Sequence, residues 1–329
     1  MPLINRCGGG GGTPQLCGQV ENFEAKLGNL SVILSWTAPS PDEDNSFVGA
    51  RIVRKTGSAP TGINDGTVVY EGTALTYTDT GLTAGTTYYY RAFAYNAKKK
   101  YQTAYRVASL TAIALNSNFA SNTWEQIIAA CQSGSVPDTW VTGDSKIMTI
   151  DGADYQFDIV GKNHDTYTAG GIAPLTFGLH DCYGTKYPMN SSNTNSTGWD
   201  DSKMRTETLP AILAKMPVNI QNGIRAVNKL TATSKSDSTI KTASDKLFTF
   251  SEMEVYGSTT YSYSGEGKQY DYYKAGNSKV KKVGSTASVW WLRSPYADHN
   301  INFCVVTKNG SASYTAAQYS QGVCFGFCF

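Results

Sequence analysis

The sequence has no long apolar run, little charge and no coherent basic surface. No stretch approaches the roughly 18–20 apolar residues that cross a bilayer, so we expect no membrane insertion. Residues 1–6 lack the apolar core of a signal peptide, and we therefore expect synthesis in the cytoplasm without secretory export. Charged residues make up 16% of the chain, and the formal net charge is +2. Because the one dense basic run is Lys98-Lys99-Lys100, a nucleic-acid partner is not expected.

The motifs of metal sites and of common hydrolases are also missing. The seven cysteines form no CxxC pair, so neither a disulfide framework nor a zinc site is indicated, and we expect buried free thiols. No GxSxG or HExxH motif occurs, and His164 and His180, each followed by Asp, are predicted to be structural. The pair at 200–201 lacks the spacing of a calcium loop. We predict no enzyme activity, no cofactor and no metal, and we interpret the candidate acids as turn residues or strand-edge charges: Asp151, Asp154, Asp158, Asp200, Asp201, Glu252 and Glu254.

The sequence is rich in Tyr (21) and Gly (32), and its 329 residues favour a multidomain chain. Residues 18–113 contain short apolar runs separated by turn residues, which predicts an all-β sandwich. Trp36 lies in the second run with a Pro-rich turn after it, and Leu82-Thr-Ala-Gly-Thr-Thr-Tyr88 leads into a later one. These residues resemble the fibronectin type III pattern. The resemblance implies a buried Trp36 and a Tyr88 hydroxyl that is hydrogen-bonded to the backbone.

Two helical patterns follow a polar joint near residues 116–118. The first apolar face ends near Gly134 and consists of Trp124, Ile127, Ile128 and Cys131. Asn122 is predicted to cap this helix, with Glu125 reaching back to the cap amide. The second pattern consists of Leu209, Ile212, Leu213 and Met216, followed by Ile220, Ile224 and Val227. Because short strands and long polar loops surround these helices, we predict an α+β fold.

Residues 119–329 also carry motifs in a characteristic order. They are Gly198-Trp199 with Ser202, Met204 and Arg205, then Lys246-Leu-Phe with Ser251 and Glu254, and finally Trp290-Trp-Leu-Arg-Ser-Pro295. This order resembles the C-type-lectin-like domain of the variable proteins of diversity-generating retroelements, a family that includes phage major tropism determinants. The resemblance implies that residues 119–329 bind a ligand, and that mutation of template adenines diversifies one surface while a framework stays constant.

The resemblance assigns the variable region to residues 296–321. Lys308, Gln318 and Gln321 cannot arise from Asn codons by adenine mutation, so we exclude them as diversified sites. We expect at least one of Trp290 and Trp291 to belong to the framework. Strand alternation predicts an apolar core side that contains Phe303, Val306, Val323, Phe325 and Phe327. Because Tyr, Ser, Asn and Asp suit adaptable binding surfaces, we predict one exposed ligand-binding face made of Tyr296, Asp298, His299, Asn300, Asn302, Thr307, Ser311, Ser313, Tyr314, Thr315 and Tyr319.

Together these features favour a phage virion surface protein, in the tail or on the capsid, that binds a host-cell surface protein or glycan. Residues 1–17 include an unbroken glycine run at 8–12 and are predicted to form an assembly segment that contacts other virion proteins. A homo-oligomer is expected. Two alternatives stay open: a bacterial surface or intracellular ligand-binding protein diversified by a retroelement, and a carbohydrate-active enzyme.

Overall fold

The computed structural model describes residues 17–40, 47–103, 105–234 and 237–329. The chain divides into two compact units, of which the first ends at Leu115 and the second begins at Asn116. The predicted N-terminal assembly segment, except Cys17, lies outside the described residues. No helix within the described ranges is long and apolar enough to cross a membrane.

The first unit is built from antiparallel strands. They are β1 (Glu21–Gly28), β2 (Ser31–Thr37), β3 (Phe47–Thr56), β4 (Thr67–Gly72), β5 (Thr76–Thr80), β6 (Thr87–Asn96) and β7 (Arg106–Thr111). The strands pair into a three-stranded sheet of order β1-β2-β5 and a four-stranded sheet of order β4-β3-β6-β7. Apolar side chains from both sheets form one buried core, which is how a β-sandwich excludes water from its inner faces.

Two aromatic residues of this sandwich, Trp36 and Tyr88, were the subject of specific predictions. Trp36 is 3% exposed and packs on Phe23 and Tyr70, with ring centroids 6.1 and 5.6 Å away. Tyr88 is buried, and its hydroxyl accepts a hydrogen bond of 3.1 Å from the backbone N–H of Thr83. Both predictions for the first unit, a buried Trp36 and a backbone-bonded Tyr88, are confirmed.

The second unit contains short strands in several sheets. The strands are β8 (Ser145–Ile150), β9 (Ala153–Lys162), β10 (Leu175–Leu179), β11 (Val227–Ser234), β12 (Asp237–Asp245), β13 (Phe248–Thr249), β14 (Lys281–Val283), β15 (Thr286–Ser288), β16 (Trp290–Pro295), β17 (Asn302–Val306), β18 (Ala312–Ala316) and β19 (Phe325–Cys328). They form a five-stranded sheet of order β13-β19-β10-β9-β8, a three-stranded sheet of order β16-β17-β18, and the hairpins β11-β12 and β14-β15.

The helices of this unit are short. They are α1 (Trp124–Ser133), α2 (Leu209–Leu213), α3 (Val218–Gly223), α4 (Glu252–Tyr256) and α5 (Asp271–Lys274), with a 3₁₀ turn at Phe119–Ser121 and a π-helical turn at Met204–Thr208 that leads into α2. Strands therefore make up more of both units than helices do.

The first predicted helix forms, but its cap is one residue later than predicted. Thr123 caps α1, because its hydroxyl accepts from the N–H of Gln126 at 3.2 Å while the Gln126 side chain accepts from the Thr123 N–H at 2.7 Å. The Asn122 side-chain amide instead donates to backbone carbonyls of the preceding turn, at 2.9–3.1 Å. The prediction that Asn122 caps the helix and that Glu125 bonds back to the cap amide is therefore wrong.

The second helical pattern is interrupted. Pro217 separates α2 from α3, because proline has no N–H and restricts the residue before it. Val227, predicted to continue the helical face, begins β11 instead. Of the other apolar residues of the pattern, Leu209, Ile212, Met216, Ile220 and Ile224 are buried, whereas Leu213 is half-buried.

The C-terminal segment lies in the core of the second unit. Trp290 and Trp291 are fully buried, and the Trp291 indole N–H donates to the carbonyl of Tyr187 at 2.8 Å. β19 lies inside the five-stranded sheet, between β13 and β10. The predicted core side is confirmed, since these residues are buried: Phe303, Val306, Val323, Phe325 and Phe327. The six cysteines within the described residues are likewise buried and unpaired.

Candidate ligand-binding face

The predicted binding residues lie around the three-stranded sheet β16-β17-β18. Residues 296–301 connect β16 to β17, and residues 307–311 form the turn between β17 and β18. The backbone N–H of Ala317 donates to the carbonyl of Ile301 at 2.9 Å, so the 296–301 loop and the end of β18 lie at the same end of the hairpin. The sheet thus brings together residues that are up to 20 positions apart in the sequence.

Four of the predicted residues form a contiguous cluster, called here the tyrosine face: Tyr296, Asp298, His299 and Tyr314. The rings of Tyr296 and Tyr314 are stacked, with centroids 4.0 Å apart and planes inclined by 12°. His299 packs on Tyr296 at 5.5 Å, and the Tyr296 hydroxyl donates to the Asp298 carboxylate at 3.3 Å. Partial burial, together with the neighbouring Tyr314 hydroxyl and the Asp298 charge, raises the pKa of Tyr296 to about 12. Tyr296 is therefore a neutral hydrogen-bonding group at physiological pH.

Asn195, a fully buried residue of the Asn-rich loop, holds the backbone of the 296–301 loop. Its side-chain amide donates to the carbonyls of Tyr296, His299 and Asn302 at 3.2, 2.9 and 2.8 Å. Its own N–H donates to the carbonyl of Asn300 at 2.7 Å. Because all these contacts are to backbone atoms, they do not depend on which side chains the loop carries. Asp298, His299 and Asn300 are exposed.

The expectation that every predicted residue would be exposed is wrong for Tyr296 and Asn302. Tyr296 is 7% exposed because Tyr314 covers it, and Asn302 is 8% exposed. Asn302 begins β17, which is the central strand of its sheet and is buried along its whole length. Alternation of core and solvent sides applies to a strand that has one face in water, and β17 has none.

The remaining predicted residues do not share the tyrosine face. Ser313 and Thr315 alternate with Tyr314 along β18, so their side chains point to the opposite side of the sheet, and both are half-buried. Thr307 and Ser311 lie in the turn at the other end of the hairpin, where the Thr307 hydroxyl accepts from the Ser311 N–H at 3.0 Å. Tyr319, 56% exposed, follows β18. The eleven predicted residues therefore do not form one face. Four of them form the tyrosine face, and the others lie at separate positions.

Tyr261 borders the tyrosine face, although no prediction from the sequence had included it. Glu252, predicted to be a turn residue or a strand-edge charge, is instead buried and bonds the backbone beside Tyr261. The Tyr261 ring packs edge-on against Tyr296 and Tyr314, with centroids 5.8 and 5.2 Å away. The fully buried carboxylate of Glu252 accepts hydrogen bonds from consecutive N–H groups in the Tyr261 segment. The signal that could have identified the segment is its composition, because residues 258–264 contain only Ser, Thr and Tyr, like much of the predicted variable region.

Glu254, which was predicted to be a turn residue or a strand-edge charge, is instead buried in ion pairs. Glu254 makes two contacts with the Arg293 guanidinium, at 2.6 and 2.8 Å, and a third with the Lys229 ammonium at 2.6 Å. Lys229 also bonds Asp165 at 2.8 Å. Burial alone would raise the pKa values of Glu254 and Asp165, but the Arg293 and Lys229 charges outweigh it and leave both carboxyls ionised. Arg293 also donates to the carbonyls of Leu230 and Thr249, and Asp165 accepts from the hydroxyls of Thr176 and Tyr270. The buried network connects β11, α4 and β16.

A half-exposed His180 faces a buried acid, Asp158, at 2.7 Å. The hydrogen bond to Asp158 raises the pKa of His180, while Asp158 keeps a lowered pKa because the contacts from His180, Gln156 and Tyr272 outweigh its burial. His180 lines a cavity of about 380 Å³. Cys182 lies in the same cavity, but burial raises the pKa of its thiol well above the usual range, which disfavours the nucleophilic thiolate.

Among the described residues of the second unit, cavities of about 380, 420 and 480 Å³ are lined by residues outside the tyrosine face. Asp298, His299 and Tyr314 of the tyrosine face are exposed to solvent. Among the described residues, no cluster of three or more His, Cys, Asp or Glu side chains has the arrangement of a metal site.

Comparisons with known proteins found one matching family model and several similar solved structures. A protein family described as a domain of unknown function (DUF6273) matches residues 175–328. No curated protein matches the chain. Among solved structures, the fibronectin type-III domain of human fibronectin type III domain containing protein 3 is 20% identical, covers 34% of this chain and 100% of its own, and has a TM-score of 0.27. The β-1,2-glucanase from Parabacteroides distasonis is 18% identical over 32% of this chain and 14% of its own, with a TM-score of 0.26.

The first unit is a fibronectin type III-like all-β module. This assignment depends on its own two antiparallel sheets, on the buried Trp36 and on the backbone bond to the Tyr88 hydroxyl. A fold of this kind serves many functions, so the module does not define an activity.

Proposed function

We propose that the second unit is a C-type-lectin-like binding domain and that its tyrosine face recognises a host-cell surface protein or glycan. The observation that carries this proposal is the backbone-only attachment of the 296–301 loop to buried Asn195. Exposed side chains on such a loop can change without loss of framework contacts, because substitutions of exposed residues usually alter stability by about 0.5 kcal/mol or less. Tyrosine beside Asp, Asn and His also supplies the amphipathic area and polar groups that adaptable binding surfaces use.

A more specific role is suggested by the motif order of residues 119–329, which resembles that of the variable proteins of diversity-generating retroelements. On the basis of that resemblance, the protein is a diversified ligand-binding protein on the surface of a phage virion, in the tail or on the capsid. Residues 1–17 would contact other virion proteins, and the chain would form a homo-oligomer. The decisive observation is the DNA downstream of the gene, where a near-copy of the last codons beside a reverse transcriptase is expected. A gene without such a copy would speak against diversification.

Binding itself is tested with the fluorescently labelled full chain and a panel of intact bacterial cells, measured by flow cytometry. We expect a subset of strains to bind, and we expect His299→Ala with Tyr314→Ala to reduce that binding at least tenfold. The double variant should stay folded, with a lowered thermal midpoint because Tyr314→Ala removes the ring contact with Tyr296. Tyr105→Ala is the matched control, because Tyr105 is an exposed tyrosine of the first unit. If the double variant bound cells as well as wild type does, the tyrosine face would not be the ligand-binding surface.

The second candidate is a carbohydrate-active enzyme, and the pair of His180 and Asp158 beside a cavity is the observation that favours it. A histidine oriented by a buried carboxylate can act as a general base. Release of reducing sugar from bacterial polysaccharides, lost in His180→Ala, would support this candidate and contradict a purely binding role.

A further inference from the structure

The tyrosine face has a neighbour from a distant part of the sequence, the segment Thr260–Ser262. Tyr261 of this segment contacts both stacked rings of the face, with centroids 5.8 Å from Tyr296 and 5.2 Å from Tyr314. The backbone joins the same two regions, since the N–H of Ala297 donates to the Tyr261 carbonyl at 2.8 Å. Tyr261 is half-buried, and none of the hydrogen bonds within the described residues involves its hydroxyl.

The backbone of this segment is held by one buried side chain. Glu252, fully buried at the start of α4, accepts hydrogen bonds from the N–H groups of Thr260 and Ser262 at 3.0 and 2.8 Å, and from that of Tyr261 at 3.0 Å. The N–H of Glu252 in turn donates to the Ser294 hydroxyl of β16 at 2.9 Å. Hydrogen bonds to an ionised carboxylate are stronger than neutral ones, and in a buried site they are costly to lose. The carboxylate therefore restrains three consecutive residues relative to the framework.

We propose that Tyr261 is a ligand-contacting residue of the tyrosine face and that Glu252 is the residue that positions it. The inference rests on the proposed function and extends it. It divides the binding surface into two parts with different tasks. Residues 298–300 supply side chains that can vary from one ligand to another, whereas Tyr261 supplies a constant aromatic contact with an available hydroxyl.

Physical reasons favour a constant tyrosine at this position. Tyrosine provides a large contact area at little cost in side-chain entropy, and residues that are already rigid lose less freedom on binding. The Tyr261 ring is restrained from two sides by the rings of Tyr296 and Tyr314, and its backbone is restrained by Glu252. A preorganised aromatic residue next to a changeable loop is expected to contribute to the affinity for every ligand.

The test uses the full chain displayed on yeast, with Asp298, His299, Asn300 and Tyr319 randomised and egg-white lysozyme as the probe ligand. We expect selection to yield binders of different sequence. In each binder, Tyr261→Ala is expected to lower the affinity for lysozyme by about tenfold, as for an anchor residue of an interface. Tyr261→Phe retains the ring contacts, removes only the hydroxyl, and is expected to lower the affinity by about threefold. Tyr105→Ala, in the first unit, is the control and is expected to change nothing.

The role of Glu252 has its own measurement. In Glu252→Gln an NH₂ group replaces one of the accepting oxygens, so we expect faster hydrogen exchange at the amides of residues 260–262 and a fall in affinity. A merely structural role would lower the thermal midpoint without a selective change at these amides. Glu252→Asp, which retains the charge, is expected to recover part of the affinity.

The outcomes separate the two levels of the proposal. Binders that lose affinity on Tyr314→Ala but retain it on Tyr261→Ala and Tyr261→Phe would overturn the role of Tyr261 and leave the proposed function intact. A library that yields no lysozyme binder at all would overturn the proposed function and this inference together.

Discussion

At the scale of single residues, tyrosines of the same segment have different tasks. Tyr296 is covered by a stacked ring, whereas Tyr319 is 56% exposed, although both were predicted to contact ligand. A residue's type determines what it can bind, but only its packing determines whether a ligand can reach it. The buried Tyr296 ring packs beneath the more exposed Tyr314 ring.

We expect this difference to appear in the stability of single variants. Tyr319→Ala should change the free energy of unfolding by about 0.5 kcal/mol or less, because it removes only exposed atoms. Tyr296→Ala should cost clearly more, because it removes the ring contact with Tyr314. Trp291→Ala, at a fully buried indole, should cost about 3–5 kcal/mol and provides the upper reference. Urea unfolding followed by circular dichroism measures all three, and equal losses for the two tyrosine variants would contradict a packing role for the Tyr296 ring.

The pair of His180 and Asp158 should make stability depend on pH. The pKa of His180 is raised in the folded chain, so its contribution is complete below the unfolded value of about 6.5 and is lost as the pH rises through the folded value. The pKa of Asp158 is lowered, so its contribution exists above about 3.9 and is lost as the pH falls through the folded value. The pair therefore stabilises most between about pH 4 and 6.5.

The measurement compares wild type with His180→Gln by urea unfolding across this range. We expect the difference in stability to be largest near pH 5 and to shrink above pH 7. His299→Gln is the control for loss of an imidazole, since none of the ion pairs within the described ranges involves His299. A difference that is constant with pH would show that the ion pair contributes nothing measurable.

At the scale of secondary-structure elements, the buried charges connect segments that are remote in sequence. Lys229 belongs to β11, Glu254 to α4 and Arg293 to β16, and they meet within 2.6–2.8 Å. Such a network contributes little net stability when intact, because removing charges from water is costly. We expect the network to contribute more to the uniqueness of the fold than to its stability, since each charge requires its partners in one relative position.

Removal of one carboxylate should therefore be strongly destabilising. Glu254→Gln leaves the Arg293 and Lys229 charges partly uncompensated in the interior, and we expect a loss of about 3–5 kcal/mol in the free energy of unfolding. Glu207→Gln is the matched control, because Glu207 is 67% exposed and pairs only with Lys203 at 3.6 Å, and we expect a loss of at most about 0.5 kcal/mol. Similar losses in the two variants, measured by denaturant unfolding, would contradict the structural role of the network.

At the scale of the whole molecule, the chain contains two units with separate cores. The first unit buries Val32, Leu34, Trp36, Ile52 and Tyr90 in a cluster whose members all come from residues 17–112. A unit that has its own core and its own paired strands can in principle fold independently. We therefore expect the two units to respond separately to core substitutions.

Trp36→Ala in the full chain tests this independence. The variant should lose about 3–5 kcal/mol from the unfolding transition of the first unit, because it removes a buried indole from that core. Hydrogen exchange of β17 and β19 amides should remain as slow as in wild type. Loss of protection in those strands would indicate that the two units unfold together.

The sequence by itself determined the identity of the core and the class of the first unit. Trp36 and Tyr88 were predicted correctly from the resemblance to the fibronectin type III pattern. The apolar positions of the C-terminal segment were predicted correctly because burial of large apolar side chains follows from local patterns. The sequence also indicated that residues 296–321 contain the residue types of a binding surface. It did not determine which of them lie together.

Only the tertiary structure decided the composition of the tyrosine face. Asn302 is buried because both faces of β17 are covered, and Ser313 and Thr315 lie apart from the tyrosine face because they alternate with Tyr314. Glu252 of α4 and Tyr261 of the segment after it reach the site through contacts with Ser294 and Tyr296 that span more than 30 residues. No local pattern contains such information, because the position of a side chain depends on which distant segment the fold packs against it.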